Sequence, residues 1–136
     1  MASQVPVLVV SARLENKRSL LRILNNLPVD VFTVGTHAQA RGVLAQRPIS
    51  IVFCEERVPD GGYLDLLAHV LTRHESVQFI VMLFAGEWAH YAEALRFGAT
   101  EVLRCPLLPT DVELALIHAM RKHPKTIAID ASAASA

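Results

Sequence analysis

The chain has 136 residues, 52% of them hydrophobic, and its 13 Lys and Arg are balanced by 13 Asp and Glu. That is one domain of ordinary size with enough apolar material for a real core, and no global field draws it toward nucleic acid or anionic lipid. No run approaches the roughly 18 apolar residues a membrane helix needs, the first residues lack the basic flank of a secretory signal, and Cys54 and Cys105 make no disulfide framework, so a soluble, cytoplasmic, non-membrane protein is expected.

Val5 to Ser11 is a continuous apolar run, as in a strand buried on both faces. Leu14, Leu20, Leu21, Ile23, Leu24 and Leu27 then recur at helical spacing until Pro28 stops the helix. Val29 to Val34 alternates apolar and polar residues, which suits an edge strand. Gly35-Thr36 opens a second helix that runs through Arg47 and is closed by Pro48. Ile51-Val-Phe-Cys54 is a third, fully buried strand, and it delivers Glu55 to a carboxyl end, just ahead of Pro59-Asp-Gly-Gly62. In open α/β sheets that edge is where ligands and chemistry gather.

A third helix is predicted over Tyr63 to Arg73, with Leu64, Leu67, Ala68 and Leu71 inward. Val77 to Phe84 is the most hydrophobic strand. A fourth helix covers Glu87 to Phe97 and ends at Gly98, the usual residue past a helix C-terminus. Ala99 to Arg104 is a fifth strand, ended by Cys105-Pro106. Pro109-Thr110-Asp111 starts the last helix, with an apolar stripe of Val112, Leu114, Ala115, Ile117, His118 and Met120. Residues 124–136 are Ala/Ser-rich without a core pattern and read as a tail or linker after a domain spanning 1–123. Five strands each followed by a helix imply a three-layer, flavodoxin-like, doubly wound parallel sheet of order 2-1-3-4-5.

With these motifs in this order, residues 5–123 resemble the response-regulator receiver family of two-component (phosphorelay) signalling. The resemblance implies that Glu55, four residues before Pro59, matches the family's phospho-accepting Asp. Ser11 and Ala12 match its magnesium-holding acidic pair, Phe84 its Thr or Ser, Val102 its aromatic switch, and Cys105 its Lys. It also implies a cis bond at Cys105-Pro106. Tyr63 falls where the family usually has Gly. Magnesium wants hard oxygen ligands, usually including carboxylates, and phosphoryl transfer depends on positioned charge. The replacements at Ser11, Ala12, Phe84 and Cys105 together argue against a working acceptor site, so no cofactor, metal or catalytic residue is expected. Either Glu55 mimics a phosphoryl group, or it is a strand-end polar residue satisfied by Arg57, Arg104 or a backbone N–H.

The six histidines show no metal-ligand spacing, and His69 and His74 should point to different helix faces. Strand four separates Cys54 from Cys105, beyond disulfide reach. Cys105, at the rim, is the better candidate for a reactive thiol. On the fourth helix Trp88, Tyr91 and Leu95 form one stripe, either the buried face or, if Ala89, Ala92 and Leu95 turn inward, part of an interface. The resemblance makes the face of helix four, strand five and helix five the partner or homodimer surface, with Trp88, Tyr91, Leu95, Val102 and Leu114. The expected function is therefore phosphorylation-independent protein interaction. The alternatives are a small-molecule site at the vacated rim, with Phe84 as a stacking wall and Arg57 or Arg104 meeting an anion, and phosphorylation at Glu55 or Asp60.

Overall fold

A computed structural model describes residues 4–122. The strands are β1 (Val5–Val10), β2 (Val29–Val34), β3 (Ile51–Glu55), β4 (Gln78–Leu83) and β5 (Glu101–Arg104). The helices that follow them are α1 (Leu14–Leu24), α2 (His37–Gln46), α3 (Tyr63–Arg73), α4 (His90–Arg96) and α5 (Pro109–Arg121). The strands form one sheet of order β2-β1-β3-β4-β5, parallel throughout. The expected topology is therefore the observed one, and the alternating strand is an edge. The tail read as a linker from residue 124 onward, like His123, lies outside the described residues.

Strand periodicity divides the core. Val7, Val9, Ile51, Phe53, Ile80 and Met82 face Leu20 and Leu24 of α1 and Val112, Ala115 and Leu116 of α5. Leu8, Val10, Val52, Cys54, Phe79 and Val81 face Leu44 of α2, Leu66, Leu67 and Val70 of α3, and Ala94 of α4. Successive side chains of a strand point to opposite faces, so a strand covered on both sides must be apolar at every position. That is why β3 is buried along its whole length, Glu55 included.

Three helices face differently from their sequence reading. On α3 the inward residues are Tyr63, Leu66, Leu67 and Val70, while Ala68 and Leu71 are exposed. On α5 the sheet takes Val112, Ala115, Leu116 and Ala119, a row at i, i+3, i+4 and i+7 whose small residues let the backbone approach. Leu114, Ile117 and Met120 are left exposed. The fourth helix is short: a 3-10 turn at Ala85–Glu87 precedes α4 proper, in which only Ala94 is buried. Ala89, Ala92 and Leu95 are all exposed, so neither proposed stripe is the core face.

Two local features place the rim loops. Gly98 has φ +110°, a backbone conformation that favours glycine at this turn. The Cys105–Pro106 bond is cis, as the resemblance implied.

Candidate functional site

The carboxyl ends of β1, β3, β4 and β5 bring Ser11, Glu55, Phe84 and Cys105 to one rim. Glu55 is 1% exposed and its carboxylate is occupied on both oxygens. Oε1 accepts from the backbone N–H of Ala12 at 2.9 Å and of Arg13 at 3.2 Å. Oε2 accepts from the Asn16 side-chain amide at 2.9 Å and from the Ser11 hydroxyl. The β1–α1 loop thus wraps around the carboxylate, and the charge is met by neutral donors, as buried charge requires.

Neither Arg57 nor Arg104 reaches Glu55. Arg57 lies 4.0 Å from Glu56, and Arg104 sits over the Trp88 ring at 4.3 Å. Asn16 was the missed partner. Its signal was available: a polar residue four before Leu20 and eight before Leu24 stands on the buried stripe of α1, where a polar side chain needs a partner. Asn16 Oδ1 in turn accepts from the Cys105 thiol at 3.3 Å.

The rim is closed from above. The Arg13 guanidinium lies 3.7 Å from the Phe84 ring centroid and pairs with Glu87 at 3.3 Å. Glu87 also accepts from the Phe84 backbone N–H at 2.8 Å. Arg13 therefore covers Phe84 as a stacking wall and Trp88 holds Arg104, while Arg57, the other cation expected to meet an anion, is exposed beside Glu56.

No family model matches the chain. It is 30% identical over 91 residues to the response regulator protein PilR of Pseudomonas aeruginosa, which covers 66% of this chain and 20% of PilR. The chain thus spans about a fifth of that relative's length. The signal receiver domain of an HD domain-containing protein from Pseudomonas fluorescens Pf-5 superposes with a TM-score of 0.81 at 22% identity, covering 90% of this chain and 98% of that one. The receiver domain of a LuxO repressor protein from Vibrio parahaemolyticus superposes at 0.82 and 17% identity, covering 92% and 97%. The fold is that of receiver domains, and the sequence is similar to that of PilR over those 91 residues.

In a receiver domain this rim is where a magnesium ion is implied, and the residues present do not fit one. The single carboxylate at the centre of the rim, Glu55, already accepts from four donors. Ser11 presents its hydroxyl hydrogen to Glu55 rather than a lone pair to a cation, and Ala12 presents an N–H. Glu56 is engaged with Arg57 and His90, and Glu87 with Arg13. Among the described residues, no three His, Cys, Asp or Glu side chains come together as a metal-ligand group.

The thiols are sequestered. Cys105 is 5% exposed, and burial, with Glu55 and Glu87 nearby, pushes its thiol up to about 12. Burial raises the Cys54 thiol further still. Reactivity needs the thiolate, so Cys105 is a packed residue and not a reactive one. Asp60 is a helix cap: its carboxylate accepts from the backbone N–H of His37 at 2.7 Å and of Ala38 at 3.0 Å, and those two bonds hold its pKa below the usual value. His69 and His74 do not point apart. Their rings are 5.4 Å from centre to centre, because His74 leaves helical geometry at φ −139° and ψ 55°.

The second feature is the α4-β5-α5 face. A groove of about 720 Å3 is lined by Trp88, Tyr91, Val102, Arg104, Asp111 and Leu114 among others. The Trp88 and Tyr91 rings pack at 5.0 Å between centroids. Trp88 and Val102 also lean on the core. Tyr91, Leu95 and Leu114 are exposed at 42%, 41% and 60%. The expected interface residues thus divide between half-buried supports and exposed apolar side chains.

Proposed function

We propose that this receiver domain is a two-component signalling module, without catalysis of its own, that works through phosphorylation-independent protein–protein contact at the α4-β5-α5 face. The observation that carries this reading is Glu55. A phospho-acceptor must present a free carboxylate oxygen beside a cation, yet both oxygens of Glu55 are held by Ser11, Ala12, Arg13 and Asn16. The same contacts oppose the mimic reading. A phosphoryl group adds charge and three acceptor oxygens, whereas this carboxylate turns inward to the β1–α1 segment.

Support for the face comes from its chemistry. Trp88 and Tyr91, packed at a tilt of 57°, and a cation over the Trp88 ring combine residue types enriched at protein interfaces, and exposed Leu114 adds apolar surface. A cytoplasmic site of action is part of this reading; no helix among the described residues is long and apolar enough to cross a membrane. The test is sedimentation of the full chain, alone and with candidate histidine kinases or phosphotransfer proteins from the source cell, with and without magnesium and a phosphoryl donor. A dimer or complex that forms equally under both conditions, and weakens in Trp88→Ala, is expected. Assembly only after phosphorylation refutes the reading.

A further inference from the structure

Helix α4 is seven residues long and buries only Ala94. A helix this short is marginal on its own, so its position depends on what ties it down. At the near end, Glu87 of the preceding turn is bonded to Arg13 and to the Phe84 N–H. At the helix itself, Glu93 Oε1 accepts from the Tyr63 hydroxyl at 2.6 Å and lies 3.0 Å from His90 Nδ1. His90 Nε2 lies 3.5 Å from Glu56 Oε2, and its ring stands edge-on to Tyr63 with centroids 6.1 Å apart. Tyr63, at the first position of α3, is among the largest side chains fully buried in the protein, at 2% exposure.

We propose that Tyr63, Glu93, His90 and Glu56 form a clasp that fixes α4 against α3 and the loop after β3, and so sets the shape of the α4-β5-α5 groove. The assignment rests on the reading of that face given above. Tyr63 supplies a rigid post: its ring is locked in the core, and its hydroxyl has one place to go. Glu93 is the hand of α4 that grips it. His90 bridges Glu93 to Glu56, the residue next to Glu55, so the clasp and the Glu55 loop meet at the end of β3. Arg57 and Arg96 are the cations nearest the clasp. Because Trp88 and Tyr91 stand on the segment between Glu87 and Glu93, releasing Glu93 frees one wall of the groove. In this chain α4 is held by residues that need no event at the rim.

The test is amide hydrogen exchange of the full chain, read segment by segment, in Tyr63→Phe and Glu93→Gln. Tyr63→Phe removes one oxygen and leaves the ring. A hydrogen bond to a charged group contributes enough that α4 amides should exchange at least about tenfold faster, while β1, β3 and β4 keep their wild-type rates. Glu93→Gln should move the same amides by less. Unchanged α4 exchange in both variants overturns the clasp. So does uniform acceleration across the sheet, which would make Tyr63 a packing residue only. Partner binding or dimerisation, measured on the same samples, is a separate outcome: if wild type binds nothing while α4 still loosens in Tyr63→Phe, the face reading fails and the clasp stands.

Discussion

The Glu55 carboxylate and the Asn16 side-chain amide are 2.9 Å apart, both buried, on a strand end and a helix that the chain separates by 39 positions. Around this pair the rim is a closed hydrogen-bonded cluster. Removing the acceptor strands its donors. Glu55→Ala should lower stability by roughly 2–4 kcal/mol, because the Asn16 amide and two backbone N–H groups lose their partner in a buried site. Glu55→Gln should also destabilise, since its own amide hydrogens then face donors. Urea unfolding midpoints measure both, and an unchanged midpoint in Glu55→Ala would mean that the cluster contributes nothing.

The same occupancy predicts silence toward phosphoryl chemistry. Millimolar magnesium with a small phosphoryl donor or beryllofluoride should leave Trp88 fluorescence and intact mass unchanged. A stable gain of one phosphoryl group on Glu55 or Asp60 is the result that sinks the proposed function. Combining Ser11→Asp, Ala12→Asp, Glu55→Asp and Cys105→Lys should restore labelling, and no single change should.

Thiol chemistry offers an independent check on the closed rim. With Cys105 pushed up to about 12 and Cys54 raised beyond it, neither is a thiolate near neutral pH. An aromatic disulfide reagent at pH 7.5 should label neither cysteine in the native protein and both after denaturation. Rapid native labelling of Cys105 would show that Arg13 and Phe84 leave the rim open.

Acid should loosen the region around His37. Burial, the largest influence on this side chain, holds its pKa below the ordinary 6.5, Asp60 and Asp65 opposing that and Arg41 and Arg57 reinforcing it. The unfolded chain therefore takes up a proton below pH 6.5 that the native state resists, and stability falls as pH drops through that value. Asp60, whose pKa is depressed by the His37 and Ala38 N–H groups, has the opposite charge and the same direction. Its contribution is present above the ordinary 3.8 and is lost as pH falls below it. Denaturant unfolding at pH 7.5 and 5.5 should show lower stability at 5.5, and His37→Gln should shrink the difference. An equal or larger difference in that variant would contradict the assignment.

On the α4-β5-α5 face, Leu114 is 60% exposed and lines the groove. Leu114→Arg should leave the unfolding free energy within about 0.5 kcal/mol of wild type, as surface changes do, yet abolish the assembly expected in sedimentation. Loss of stability instead would mean that Leu114 supports the fold.

The fold was legible in the sequence because burial on both faces of a parallel sheet writes itself locally: continuous apolar runs at β1, β3 and β4, alternation at the edge strand β2, and Pro or Gly at most of the junctions. The position of Glu55 at a strand end and the substitutions at Ser11, Ala12, Phe84 and Cys105 were equally a matter of counting. What only the tertiary structure decided was which groups meet. Asn16 finds Glu55, Tyr63 finds Glu93, and Arg13 covers Phe84 across separations of 39, 30 and 71 positions, which local patterns do not encode. The facing of α3, α4 and α5 was misread for a related reason. Their sequences offer apolar residues on more than one side; on α5 the sheet took the row with the small Ala115 and Ala119, and on α3 the row with Tyr63, Leu66, Leu67 and Val70. Pairings between buried polar groups are settled by the packing that excludes water from them, and that packing exists only once the chain has closed.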